Sequence, residues 1–363
     1  MTHQLVILGA GYAGLAAAGR AARRLHSNDV RITLINARDR FVDRIRLHQL
    51  AAGQTLRDHP IRQLLTGTGV QLVVGTVLSI DAAAGQIDVQ PPSATAPVLV
   101  RYDTLVYALG STADVRAVPG AAVYAHTIAD ADSALRLRSR LAELVPGDTL
   151  TVVGGGLTGI EAATELAESH PGLRVQLVSD AVPGCWLSDH AQRHVLHGLH
   201  GLGIETRSGA RVNQVLRTGL ALADGGQIVA DVVLWAAGFQ VSGIAAAAGF
   251  AVDDRGRMLV DGTLRSRSDP DVYAVGDAAA AQVQDGVTRM SCQTSLPMGQ
   301  HVADVIADRL TGRDATVFKL RYVWQNISLG RRDAVTQFTH ADDSPRSAHL
   351  RGQPAALFKE GVN

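Results

Sequence analysis

The chain opens on a short apolar run, Leu5-Val6-Ile7-Leu8, followed by Gly9-Ala10-Gly11-Tyr12-Ala13-Gly14 and an alanine-rich stretch from Leu15 to Leu25. Four apolar residues closed by glycine predict a buried strand, and the alanine-rich stretch predicts the helix that follows it. The pattern returns at Leu150-Thr151-Val152-Val153, which runs into Gly154-Gly155-Gly156-Leu157-Thr158-Gly159 and then Ile160 to Ala167. Further strands are predicted at Val30–Ile35, Val70–Val74, 86–90, 98–102 and Leu105–Leu109, with Pro91-Pro92 and Pro97 marking a loop. Val118-Pro119-Gly120 reads as a crossover linker, and helical spacing over Asp130–Leu144 stops at Pro146-Gly147. Strands near 174–178, 204–206, 232–236 and 272–275 follow. The tail has strand-like patches at Phe318–Val323 and Ala334–Phe338, then a polar end. This alternation predicts an α/β protein with parallel sheets and helices on their faces. The duplicated strand–glycine turn–helix unit is the one internal repeat.

Composition narrows the classes. The 363 residues are enough for two domains, and 46% apolar residues suit a globular core. Lys+Arg and Asp+Glu balance at 34 each, so no global field draws the chain to nucleic acid or an anionic membrane. Lys319 and Lys359 are the lysines; the skew toward arginine reads as coding bias. Cys185 and Cys292 lie too far apart for a local redox dithiol. No run of 18 apolar residues and no export signal is visible, which predicts a cytoplasmic protein.

The glycine turns carry the chemistry. In G-x-G-x-x-G between a strand and a helix, the first glycine makes the tight turn. The second admits a pyrophosphate, and the third lets helix and strand pack. The helix N-terminus then points at the phosphates. Asn36 ends the second strand of the first unit, where an acid usually meets the ribose, and its amide can still donate and accept there. In the second unit the strand ends on Val178-Ser179-Asp180, and the charge of Asp180 favours NADH over NADPH. Val272 to Val275 leads into Gly276-Asp277, which places an acid within reach of a polyol. The stripe His190, His194, His197 and His200 reads as a helix face and Cys292 as a packing residue, and no metal is expected. Arg38, Arg40, Arg44 and Arg46 sit in a charge-rich loop without an assigned role.

Taken together, these motifs resemble the pyridine nucleotide–disulfide oxidoreductase superfamily, flavoproteins with two dinucleotide-binding domains. Within it the chain is most similar to type II NADH dehydrogenases. The resemblance runs through about the first 310 residues, on Val6–Gly14, Tyr102–Ser111, Gly154–Glu161, Ala230–Gly238 and Tyr273–Asp277. It implies two Rossmann-like domains, the NADH domain (113–242) inserted between FAD-domain parts (1–112 and 243–316), with a small C-terminal α+β piece (317–363). FAD would lie on Gly9, Gly11, Tyr12, Ala13 and Gly14, with Asn36, Val77, Ala108, Gly110, Gly276 and Asp277 around it. NADH would lie on Gly154, Gly156, Thr158 and Gly159, with Asp180 and Gly238. Glu161 matches the family acid near the meeting of the cofactors and also reads as a first-turn helix acid favoured by the dipole. The helix after Met290-Ser291-Cys292-Gln293 would aim its N-terminus at the flavin, and Gln293 matches the first glutamine of a quinone-site motif.

Two departures matter. Pro297 replaces that motif's second glutamine, and the family's amphipathic membrane anchor has no evident counterpart before Asn363. The expected activity is NAD(P)H oxidation with a quinone-like small-molecule acceptor, without nucleic acid or a stable membrane anchor, in a possible homodimer. Alternatives are a soluble biosynthetic flavin dehydrogenase or oxidase, a ferredoxin- or rubredoxin-type reductase, and an NADH-binding sensor.

Overall fold

The computed structural model describes residues 2–283 and 286–362. The chain forms two units. The first comprises Met1–Val42, Asp58–Thr112 and Gln240–Leu320; the second comprises Asp43–Arg57, Ala113–Phe239 and Arg321–Asn363.

The first unit is built on a five-stranded sheet in the order Val272–Ala274, Thr104–Tyr107, His3–Leu8, Val30–Asn36, Gln71–Val74. Every pairing in it is parallel. Leu5, Leu8, Leu34 and Leu105 are fully buried, as expected where helices cover both faces of a sheet. Helix Tyr12–Arg24 lies against helix Cys292–Leu310 so closely that a Cβ at Gly299 would overlap the carbonyl oxygen of Ala13. Arg20 and Arg24 tie the outer ends of these helices to Asp304 and Asp308 at 2.8 and 3.0 Å. An antiparallel sheet, Thr76–Asp81, Gln86–Gln90 and Val98–Arg101, interrupts the parallel order.

The second unit repeats the plan. Its sheet runs Glu205–Arg207, Arg174–Val178, Thr149–Val153, Val232–Trp235, Ala125–His126, again all parallel. Helix Ala131–Leu141 starts where Asp130 caps it, its Oδ1 accepting from the Ser133 N–H at 2.9 Å.

Sequence and structure part in two places. The segment Asp43–Arg57, read with the first piece, belongs to the second unit, where helix Leu47–Ala51 packs on helices Ala131–Leu141 and Leu157–Ser169. From Arg321 on, the tail belongs to that unit as well. Its ladder begins at Trp324, not Phe318: Phe318 joins the first unit's core, and residues 318–323 form no strand of their own. The polar end forms strand Pro345–Arg351 and helix Gln353–Val362. What the apolar pattern concealed is Gln337, fully buried and fully bonded. Its Oε1 accepts from the backbone and hydroxyl of Ser188, and its Nε2 donates to the carbonyl of Arg346 at 2.7 Å.

Candidate functional site

Both glycine turns solve one steric problem in one way. Gly9 (φ +93°) and Gly154 (φ +120°) occupy the left-handed region, and a Cβ on either would run into the carbonyl of Ala108 or Ala236. At Gly14 and Gly159 a Cβ would overlap the carbonyl oxygens of Gly9 and Gly154. The middle glycines differ. Gly11 and Gly156 have ordinary φ values of −77° and −75°, and a Cβ on either would meet nothing within 4 Å. They are also the N-cap residues of helices Tyr12–Arg24 and Leu157–Ser169, neither of which receives a side-chain cap or carries a first-turn acid. The chain's own packing therefore does not require glycine at these two positions. A pyrophosphate laid against the bare backbone and the first-turn N–H groups does, so the residues present fit a dinucleotide at each turn.

Register resolves the ribose candidates. Gly9 N–H donates to Ile35 and Gly154 N–H to Val178, so Asn36 corresponds to Ser179, and Asp180 lies one residue further on. Asn36 works on the turn itself: its Oδ1 accepts from Ala10 N–H and its Nδ2 donates to the Arg38 carbonyl, both at 2.8 Å. One lone pair and one N–H of its amide remain for a ligand. Ser179 is buried, and its hydroxyl donates to the Ala181 carbonyl at 2.6 Å. Asp180 is exposed beyond the strand end.

Of the remaining first-unit candidates, Asp277 accepts from the Ser111 hydroxyl at 2.6 Å. Gly276 (φ +69°) lets that turn approach Ala13 and Ser295, to which a Cβ would come within 3.1 and 3.2 Å. Tyr12 stacks edge-on against Phe41, with 5.1 Å between ring centroids. Gly110 takes φ +66°, and Val77 is a core residue of the antiparallel sheet. In the second unit Thr158 lies half-buried in the first turn of its helix, and Gly238 takes φ +90°.

Glu161 stands in a setting that spacing did not reveal. It is the fifth residue of its helix, beyond the first turn where the dipole acts. Its carboxylate is paired with Lys359 from the C-terminal helix and accepts from Ser328 N–H at 3.0 Å. Lys359 also donates to the Ser328 hydroxyl at 2.6 Å. Both charges are nearly enclosed, with side chains 12% and 10% exposed. Burial pushes the Glu161 carboxyl up, but the Lys359 charge, His48 and the hydrogen bonds outweigh it and hold the pKa below the ordinary value. Nearby His48 is 4% exposed, and burial takes its pKa down to about 4 despite the attraction of Glu161. Its Nε2 has no hydrogen-bond partner among the described residues. A signal for Lys359 existed: it is one of two lysines in a chain that otherwise uses arginine. A compact ammonium fits between a carboxylate and a hydroxyl where a guanidinium fork does not.

Gln293 lies in the first turn of helix Cys292–Leu310, capped by Ser291, whose hydroxyl accepts from Thr294 N–H. Its Oε1 accepts from Arg289 Nη2 at 3.0 Å. Pro297 sits inside the helix four residues on, so the Gln293 backbone carbonyl lacks the i+4 N–H it would otherwise accept. Cys292 and Cys185 are not disulfide-bonded. His194 bonds Asp333 at 2.8 Å, and no group of three or more metal-ligating side chains occurs among the described residues.

The pyridine nucleotide-disulphide oxidoreductase family matches residues 3–301. The chain belongs to that family. It is a flavin-dependent NAD(P)H oxidoreductase with FAD and NADH as cofactors. An NADH dehydrogenase-like protein of Mycobacterium tuberculosis is 31% identical over 386 residues, covering 99% of this chain and 93% of its own. A type II NADH:quinone oxidoreductase of Staphylococcus haemolyticus is 27% identical, covering 99% and 94%. The sulfide:quinone oxidoreductase of Aquifex aeolicus shares the fold at a TM-score of 0.83 and 20% identity, covering 99% of this chain and 90% of that one. No helix among the described residues is long and apolar enough to cross a membrane.

Proposed function

We propose that this family member passes electrons from NADH to a small, water-soluble quinone. The observation that carries the reading is Gln293, an amide at the start of helix Cys292–Leu310 whose carbonyl end is taken by Arg289. Its free end is therefore a donor, and a quinone carbonyl is an acceptor. The name of the staphylococcal relative supports a quinone over other acceptors. When bound, NADH supplies a hydride and FAD carries the electron pair on to the acceptor.

The chain's residues place and tune these groups. Gly9, Gly11 and Gly14, with the N–H groups of Tyr12 and Ala13, would hold the FAD pyrophosphate, and Asp277 its ribityl chain. Gly154, Gly156, Thr158 and Gly159 would hold NADH, with exposed Asp180 repelling the extra phosphate of NADPH. Glu161 carries no proton at neutral pH and acts as a fixed charge. Pro297 removes a second amide, which weakens the hold on a quinone by about 1 kcal/mol.

Stopped-flow absorbance separates the two half-reactions. Gln293→Ala should slow flavin oxidation by a short-chain quinone about five- to ten-fold and leave flavin reduction by NADH unchanged. A variant in which neither rate changed would remove the quinone site from Gln293.

A further inference from the structure

The bond between Arg289 and Gln293 fixes more than a distance. A glutamine amide presents an oxygen and a nitrogen of nearly equal shape, and a rotation of its terminal torsion exchanges them. A guanidinium has donors only, so the Gln293 oxygen must face Arg289 and the amide N–H₂ must face away. The Arg289 end is itself held. Thr294, 1% exposed, holds its hydroxyl 2.8 Å from the carbonyls of both Arg289 and Ser291, which share its one proton. That folds the segment before the helix back over its first turn and roots the guanidinium beside residue 293. Gln293 remains half-buried.

We propose that Arg289 is a positioning residue for the acceptor step, setting the Gln293 amide so that it donates to an acceptor carbonyl. The inference rests on the quinone reading above. It makes the acceptor class more specific, to molecules that present a carbonyl oxygen to one amide donor. An amide released from Arg289 samples both orientations, and the flipped one turns a carbonyl toward a carbonyl.

A double-mutant cycle on flavin oxidation by a short-chain quinone, read by stopped-flow, tests this. Arg289→Ala should slow the step about two-fold or somewhat more, less than Gln293→Ala because the freed amide still donates part of the time, and the double variant should be no slower than Gln293→Ala alone. Arg289→Lys, which keeps a donor, should recover part of the rate, a rescue that a purely structural loss would not give. Flavin absorbance and reduction by NADH should remain those of the parent. If Arg289→Ala disturbs flavin binding, Arg289→Gln, which retains an amide donor, is to be compared in the same cycle and should also keep part of the rate. An Arg289→Ala variant at parental rate beside a slow Gln293→Ala, or effects that multiply in the double variant, would overturn the positioning role alone. A Gln293→Ala variant at parental rate would overturn the quinone reading beneath it.

Discussion

The two glycine turns share a frame and differ in how the next strand supports it. In the first, Ala10 follows the left-handed glycine and the long Asn36 side chain reaches over to bind its N–H. In the second, Gly155 takes the place of Ala10, and a Cβ there would come within 2.8 Å of Ser179. Both members of the pair are smaller in the second unit: alanine with asparagine in the first, glycine with serine in the second. The residue in register with Asn36 is buried against Gly155, a place for a small serine and not for an exposed acid. In the second unit the Ser179 hydroxyl bonds the Ala181 carbonyl and leaves the turn's N–H groups alone, and on the proposed reading the ribose falls to its exposed neighbour Asp180.

The comparison breaks most sharply at the glycines. Gly14→Ala and Gly159→Ala should each cost about 3 kcal/mol or more, because backbone has to move to admit the methyl group. Urea unfolding measures this. Compared as apoproteins, Gly11→Val and Gly156→Val should stay within about 1 kcal/mol of the parent, since a Cβ at either position enters open space. The first should nevertheless yield colourless protein, and the second a yellow protein with a raised KM for NADH. Full flavin absorbance in Gly11→Val would place the pyrophosphate elsewhere.

Acid separates the units next. His48 in the second unit is neutral when folded, with a pKa of about 4 against 6.5 unfolded. The unfolded chain therefore binds the extra proton, and stability is fully present above pH 6.5 and lost as pH falls toward 4. Between pH 7.5 and 5 the loss should be roughly 2 kcal/mol. Glu161, with its depressed pKa, keeps its contribution above its unfolded value of 4.5 and loses it only at lower pH. His48→Met should flatten the loss between pH 7.5 and 5. An unchanged slope would assign it to other groups.

The smallest effect lies at the turn supports. Asn36→Ala strands the Ala10 N–H and should cost about 1–2 kcal/mol. Ser179→Ala should cost less, because its hydroxyl closes only a local turn to Ala181. Thermal unfolding ranks them. If Asn36→Ala weakened FAD binding without lowering stability, the amide's main work would be at the ribose.

The glycine turns, their strands and the longer helices were legible because each is specified within some twenty neighbouring residues. Asn36 was legible as a polar strand end, but its task depends on the register between two strands. Lys359 lies 198 residues from Glu161 and entered as an unremarkable charge near a polar end. His48 sits on a five-residue helix whose own pattern is too short to place it in either unit. The strand Pro345–Arg351 was hidden because most of its side chains face solvent, and the residue that anchors it is a glutamine on its neighbour.

One difference between the sheets bears on how the molecule is made. The second unit's parallel sheet uses strands from Ala125 to Trp235 only, whereas the first closes with Val272–Ala274 beside Thr104–Tyr107. During synthesis that edge waits for the whole intervening unit to be translated, which at 5–20 residues per second takes roughly ten to thirty seconds. Through that interval the nascent chain presents a buried-type strand with its pairing groups open. The insertion that gives the enzyme its second nucleotide fold also delays completion of the first. A ribosome pausing before residue 272 would prolong that exposure.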